Sequence, residues 1–249
     1  MASEHPRGDS VCTPTPLALA GGIGIKMDIV VLGHSFVRRL RDGLIPPVPY
    51  RHSHDSPAWN APAAAQLASA WGISDHVRHV YTYSDGIVRI RDVDRAVSTI
   101  QRIRPGVVLI DIGSNDLAHV EEVDPPLMLR LATQLTDFAI DLAAHKVILN
   151  AILPRTGNIT CPPAVFRDNA EHFNNFLYNI CDPKSKLVFH KPLGFWKTHV
   201  DGKERLCEVA EWSSDGIHCT HESMRRYSMR TKRAIITQVR WLAKQTVPR

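Results

Sequence analysis

Apolar residues run unbroken through Ile29-Val30-Val31-Leu32 and again through Val107-Val108-Leu109-Ile110, and between such runs they recur every three or four positions. The first pattern is that of a strand covered on both faces, the second that of an amphipathic helix. In chain order they predict a strand at 28–33, a helix at 35–44, a proline-rich irregular connection at 45–62, a short helix at 63–71 and a strand at 76–83. A Ser84-Asp85-Gly86 turn leads into a helix that Arg104-Pro105-Gly106 stops, and a strand follows at 106–112. Pro125 and Pro126 open a helix to about Ala144, with Leu127, Leu131, Leu135, Phe138 and Leu142 on one face. A strand at 146–153, a helix at 165–181 and a strand at 186–190 come next. After a loop of about 25 residues a basic helix runs from about Cys219 to Lys244. Strand and helix alternate five times, which argues for an α/β fold: a five-stranded parallel sheet in a three-layer α/β/α sandwich with right-handed crossovers. Residues 1–26, rich in Pro, Gly, Ser and Ala and without a periodic face, read as a flexible arm. Residues 27–249 read as a single domain.

Composition narrows the classes. The chain has 249 residues, 44% of them hydrophobic and 22% charged, as in an ordinary globular protein. The 30 Lys and Arg exceed the 25 acids by only five, too few to diagnose a nucleic-acid binder. Cysteines at 12, 161, 181, 207 and 219 form no Cys-x-x-Cys pair, and reduced thiols in an intracellular, cytoplasmic protein are the expectation. Leu17 to Ile25 is short and broken by glycines, so neither a signal peptide nor a membrane span is expected there. In that setting Arg7-Gly8-Asp9 and Asn158-Ile159-Thr160 are read as chance matches to extracellular motifs.

Four short pieces carry candidate chemistry. Ser35, in Gly33-His34-Ser35, stands where a buried strand turns into a helix, at the carboxyl edge of the sheet where open α/β folds bind ligands. It is a candidate nucleophile, or a residue that turns the chain and caps the helix. Gly86 and the turn Gly113-Ser114-Asn115-Asp116 follow two further strands and share that edge. The Asn115 amide could donate to an oxyanion beside the backbone N–H groups of Ser35 and Gly86, or form an Asx-turn. Asp215 and His218, three apart before the last helix, could orient a general base or simply cap that helix.

In this order Gly33-His34-Ser35, Gly86, Gly113-Ser114-Asn115-Asp116 and Asp215-Gly216-Ile217-His218 resemble the four blocks of the SGNH hydrolases, or GDSL-type esterases. The resemblance covers residues 27–240 and includes the strand Ile148–Pro154 and the helix around Asn174 and Leu177. It implies a flavodoxin-like sandwich and a serine hydrolase without metal or other cofactor. Ser35 would be the nucleophile, His218 the general base and Asp215 its orienting acid. The Ser35 amide, Gly86 and Asn115 would form the oxyanion hole, and the reaction would be hydrolysis of an acyl or acetyl ester through an acyl-enzyme. A small-molecule, lipid or carbohydrate ester is the substrate expected. Where the family usually has Asp, this chain has His34. Being adjacent to Ser35, it is expected not to reach the hydroxyl as a base, and to be neutral or turned to solvent.

Two other readings use the same residues. A non-catalytic module of this type could bind RNA or protein through Arg225, Arg226, Arg230, Lys232, Arg233, Arg240 and Lys244, joined by Arg38, Arg39 and Arg41. In that helix Tyr227, Ile235, Val239 and Leu242 are expected to face the core. A zinc site from Cys207, His218, Cys219 and His221 fits none of the usual ligand spacings.

Overall fold

The structure is a computed structural model that describes residues 26–42, 61–84, 86–192, 197–200, 203–206 and 215–245. Its centre is a parallel sheet of five strands, β1 (Met27–Gly33), β2 (Val77–Tyr83), β3 (Val107–Asp111), β4 (Lys146–Asn150) and β5 (Leu187–His190), in the order β2-β1-β3-β4-β5. Register is fixed by pairs such as Val31 with Leu109 and Leu109 with Ile148. The residues of these three strands are almost wholly buried, which is why their sequences are apolar without alternation.

Helices cover both faces. On one, α1 (Ser35–Asp42) touches α7 (His221–Gln245); on the other, α5 (Pro125–Asp141) packs on α6 (Pro163–Ile180). The remaining helices are α2 (Ala61–Ala70), α3 (Val97–Ile103) and a single turn, α4 (Ser114–Leu117). The α/β sandwich expected from the alternating pattern is therefore present. Tyr227, Ile235 and Val239 are buried and Leu242 partly so, as the spacing of α7 predicts. Lys146 Nζ, donating to Pro183 O at 3.2 Å, lies 3.9 Å above the Trp241 ring, fixing the far end of α7 to β4.

Three local expectations differ. The segment after Gly86 starts as a 3₁₀ helix, Ile90–Ala96, before α3; Asp92 bonds back to the Val88 and Arg89 amides and tightens that entry. The turn at 114–117 is helical. The long loop after β5 contains an antiparallel hairpin, β6 (Lys197–Val200) and β7 (Lys203–Leu206), whose Val200–Lys203 pairing leaves two residues between the strands. Asp201-Gly202 is a favoured two-residue hairpin sequence, so the signal was in the chain. The arm at 1–25 and nearly all of the connection at 45–62 lie outside the described residues.

Candidate active site

β1 ends at Gly33, and the His34 carbonyl accepts the first helical bond of α1 from Arg38 at 3.2 Å. Gly33 lies so close to β3 that a Cβ there would strike the Asp111 carbonyl and come within 2.6 Å of Val37 Cγ2. Ser35 is thus the first residue of α1, its backbone N–H among those with no partner inside the helix.

Two loops deliver the rest. Asp215 Oδ1 accepts from the amides of Ile217 and His218, both at 2.9 Å, and so shapes the turn ahead of α7. Its Oδ2 meets His218 Nδ1 at 2.7 Å. His218 Nε2 is 2.7 Å from Ser35 Oγ. Both sequence-level roles of Asp215, backbone cap and orienting acid, are compatible because one oxygen serves each. The pair stands in a turn, not in the helix, which starts at His221. Arg39 lies 3.6 Å from Asp215 and offsets part of its charge.

His34 departs from expectation. It is 7% exposed, and its Nδ1 is 3.1 Å from Ser35 Oγ, while Nε2 is 3.2 Å from Ser114 Oγ. Adjacency does not keep it from the hydroxyl, because residue 34 sits in the bend before α1, where consecutive side chains are not splayed around a helix axis. Burial, then the charges of Arg155 and His218, lower its pKa to about 4, so it is neutral as expected but not turned to solvent.

Gly86 and Asn115 follow β2 and β3, the two strands that flank β1, so with Ser35 they occupy one edge of the sheet. Gly86 has φ +71°, and Arg95 Nη1 donates to its carbonyl at 3.2 Å. Asn115 forms no Asx-turn: Nδ2 donates to Val88 O at 3.0 Å, and Oδ1 accepts from Arg155 Nη1 at 2.9 Å. Asp116 accepts from the Ile90 amide at 3.1 Å, and burial raises its pKa to about 6.

Arg155, absent from the sequence reading, is 4% exposed. A guanidinium only donates, so its bond to Oδ1 fixes which end of the Asn115 amide is which. Nη2 donates to Asn158 O at 3.3 Å, and the charge lies 5.4 Å from the Phe166 ring. Its place directly after an apolar strand was the available signal. Gly157 and Gly216 were missed too; they join the Arg155 loop to the Asp215 loop through the amides of Thr156 and Gly157. Beneath the site, Tyr227 OH donates to Asp111 and accepts from Asn150 Nδ2 at 2.7 Å. Burial raises the Asp111 pKa to about 7. Phe36 lies between the rings of Tyr227, at 5.5 Å, and His218, at 5.8 Å. His34, Phe36, Asp111, Ser114, Ile152, Arg155 and Ile217 line a small cavity.

The basic residues of the binding-module reading lie along α7 and α1. Arg225 and Arg226 pair with Glu222 at 3.1 and 3.2 Å on the outer face of α7. Cys207 and the side chain of Arg41 lie outside the described residues. Among the described residues no three His, Cys, Asp or Glu side chains form a group that could hold a metal ion, and no helix is long and apolar enough to cross a membrane.

No protein-family model matches the chain, and no curated protein matches it in sequence. Solved structures do. A Bacteroides fragilis protein described as an acylhydrolase superposes with TM-score 0.53 at 15% identity, over 85% of this chain and 88% of that one. A GDSL-like lipase of Bacteroides thetaiotaomicron gives TM-score 0.53 at 16% identity, over 88% and 93%. The chain has an SGNH hydrolase-type fold. In this fold the first β–α junction carries Ser35 and the entrance to the last helix carries His218, 183 positions apart.

Proposed function

We propose that the protein hydrolyses carboxylic esters, of an acyl or acetyl group, through Ser35. The observation that carries this reading is the unbroken line Asp215 Oδ2···His218 Nδ1, His218 Nε2···Ser35 Oγ, with both distances 2.7 Å. A weakly acidic hydroxyl becomes a nucleophile when an adjacent base takes its proton as the bond to carbon forms. Asp215, which as a carboxylate only accepts, fixes the proton on His218 Nδ1 and leaves the Nε2 lone pair for Ser35. His218 then returns the proton to the departing alcohol, and water resolves the acyl-enzyme by the same steps reversed.

The oxyanion of each tetrahedral intermediate would be met by the Ser35 amide, the Gly86 amide and the second N–H of Asn115 Nδ2, the first being given to Val88. Each such donor contributes roughly 100- to 1,000-fold in rate. Arg155 supports this reading by holding the amide end of Asn115 in place. The fold-level likeness to an acylhydrolase and a GDSL-like lipase agrees with ester chemistry.

The test is release of nitrophenol from acetyl and short-chain acyl esters by the wild type and Ser35→Ala. Loss of turnover in the variant with an unchanged thermal midpoint supports the reading. Equal rates in the two proteins would remove Ser35 from the mechanism, and tight, steeply salt-dependent RNA binding without any hydrolysis would replace the enzyme by a binding module.

A further inference from the structure

The nucleophile's oxygen faces two histidines, and hydrogen-bond accounting sets the role of the second. Ser35 Oγ carries one proton and lies 2.7 Å from His218 Nε2 and 3.1 Å from His34 Nδ1. The proton goes to His218, because Asp215 occupies the other nitrogen of that ring as an acceptor. Toward His34 the Oγ has only lone pairs, so His34 Nδ1 must be the donor. Its Nε2 then holds a lone pair, and Ser114 Oγ, 3.2 Å away, donates to it. The result is a directional chain: Ser114 O–H to His34, His34 Nδ1–H to Ser35 Oγ, Ser35 O–H to His218, His218 N–H to Asp215. Burial beside Arg155 keeps His34 neutral, so the tautomer set by Ser114 persists across ordinary pH.

We infer that His34 is a second catalytic histidine, a hydrogen-bond donor that stabilises negative charge on Ser35 Oγ and transfers no proton. This rests on the reading of Ser35 as nucleophile. In acylation the Oγ–H bond breaks, its proton goes to His218 Nε2 and the Oγ–C bond forms; the ester C–O bond then breaks and the alcohol leaves with that proton. In deacylation water gives a proton to His218 and bonds to the acyl carbon, the Oγ–C bond breaks, its electron pair returns to Oγ, His218 gives the proton to Oγ and the acid leaves. Charge builds on Oγ in both steps and is most exposed when Oγ departs, and a donor already aimed at that atom needs no reorganisation when it does. An ionised aspartate at position 34, as in the family that the sequence resembles, has no proton to offer.

Asn and Asp discriminate, since they share a shape and Asn Nδ2 can occupy the place of the imidazole Nδ1 while Asp puts an acceptor there. With nitrophenyl acetate, His34→Asn is expected to exceed His34→Asp in kcat by at least about 10-fold at similar KM, on the scale of one lost donor. His34→Asp should also show a larger nitrophenol burst, because deacylation slows more than acylation. Ser114→Ala, which leaves His34 in place and frees its tautomer, should lower kcat several-fold. Equal kcat for the Asn and Asp variants, with Ser35→Ala inactive, overturns the role of His34 and leaves the serine mechanism standing; activity that survives Ser35→Ala overturns the serine mechanism itself. Nitrogen-15 NMR of the histidines in the wild-type protein reads the tautomer without reference to turnover. A protonated Nδ1 supports the assignment, and a bare Nδ1 at His34 overturns it.

Discussion

Gly157 and Gly216 lie back to back: the amides of Thr156 and Gly157 both donate to the Gly216 carbonyl at 2.9 Å, and a Cβ on Gly157 would fall inside the Asp215 carbonyl. Gly216 itself has φ +63°, a conformation that few residues other than glycine adopt. The loop after β4 is thereby latched to the loop that carries Asp215 and His218. Gly157→Ala is expected to lower kcat roughly 100-fold, the scale of an ångström-sized misplacement, and to cost about 1–3 kcal/mol in stability as overpacking. Steady-state kinetics beside thermal denaturation checks this; wild-type kcat in the variant would show that the latch does not position His218.

Asp215→Asn keeps an oxygen for the Ile217 and His218 amides and loses the charge that fixes the His218 tautomer. Turnover is expected to fall by about 10³- to 10⁴-fold, as when asparagine replaces the orienting acid of a serine triad, with the fold intact. A loss below 10-fold, with unchanged circular dichroism, would remove Asp215 from that role.

Arg155→Met retains the stem beside Phe166 and removes the donors to Asn115 and Asn158. Asn158 is exposed and its carbonyl can turn to water, while the half-buried Asn115 Oδ1 loses its partner at a cost of up to about 1–3 kcal/mol, so the thermal midpoint falls. Asn115 is freed to rotate, and kcat drops more than KM rises. Loss of the neighbouring positive charge also moves the His34 pKa upward from about 4, which an NMR titration reads directly.

Asp111 titrates near 7 in the folded protein, above the ordinary carboxylate value, because burial disfavours its charge. Below the unfolded pKa of about 3.9 both states are protonated and Asp111 costs nothing. As pH rises toward 7 the unfolded chain releases the proton first, so this contribution to stability declines, and it levels off above the folded value. Asp111→Asn removes the effect. The thermal midpoint of wild type relative to the variant is expected to fall between pH 4 and pH 7, and parallel curves across that range would contradict the assignment.

What the sequence revealed and what it concealed divide along one physical line. That Ser35, Asp215 and His218 come together was legible because each belongs to a local pattern: a Gly-x-Ser after a buried strand, an Asp-x-x-His before an amphipathic helix. The sheet was legible because β1, β3 and β4 are apolar on both faces. Arg155 escaped because its partner Asn115 is 40 residues away and no periodicity links them. The Gly157–Gly216 contact escaped for the same reason. His34 was misjudged differently: the side-chain divergence that applies inside a helix was carried to a residue one step outside it. The β6–β7 hairpin was passed over because its strands are polar, although Asp-Gly at 201–202 is a sequence signal for a hairpin.

The separation of 183 positions from Ser35 to His218 also sets an order of events during synthesis. A nascent chain that has emerged through β4 already holds the serine, the Asn115 turn and most of the sheet, yet it lacks His218. The last helix docks through Tyr227 on Asp111 and Phe36 and through Trp241 on Lys146, and on the proposed mechanism reactivity waits for that docking. If the protein acts by the proposed mechanism, fragments and stalled chains are inert toward esters, and recovery of hydrolysis after dilution from denaturant is expected to report the docking of α7, not the formation of the sheet.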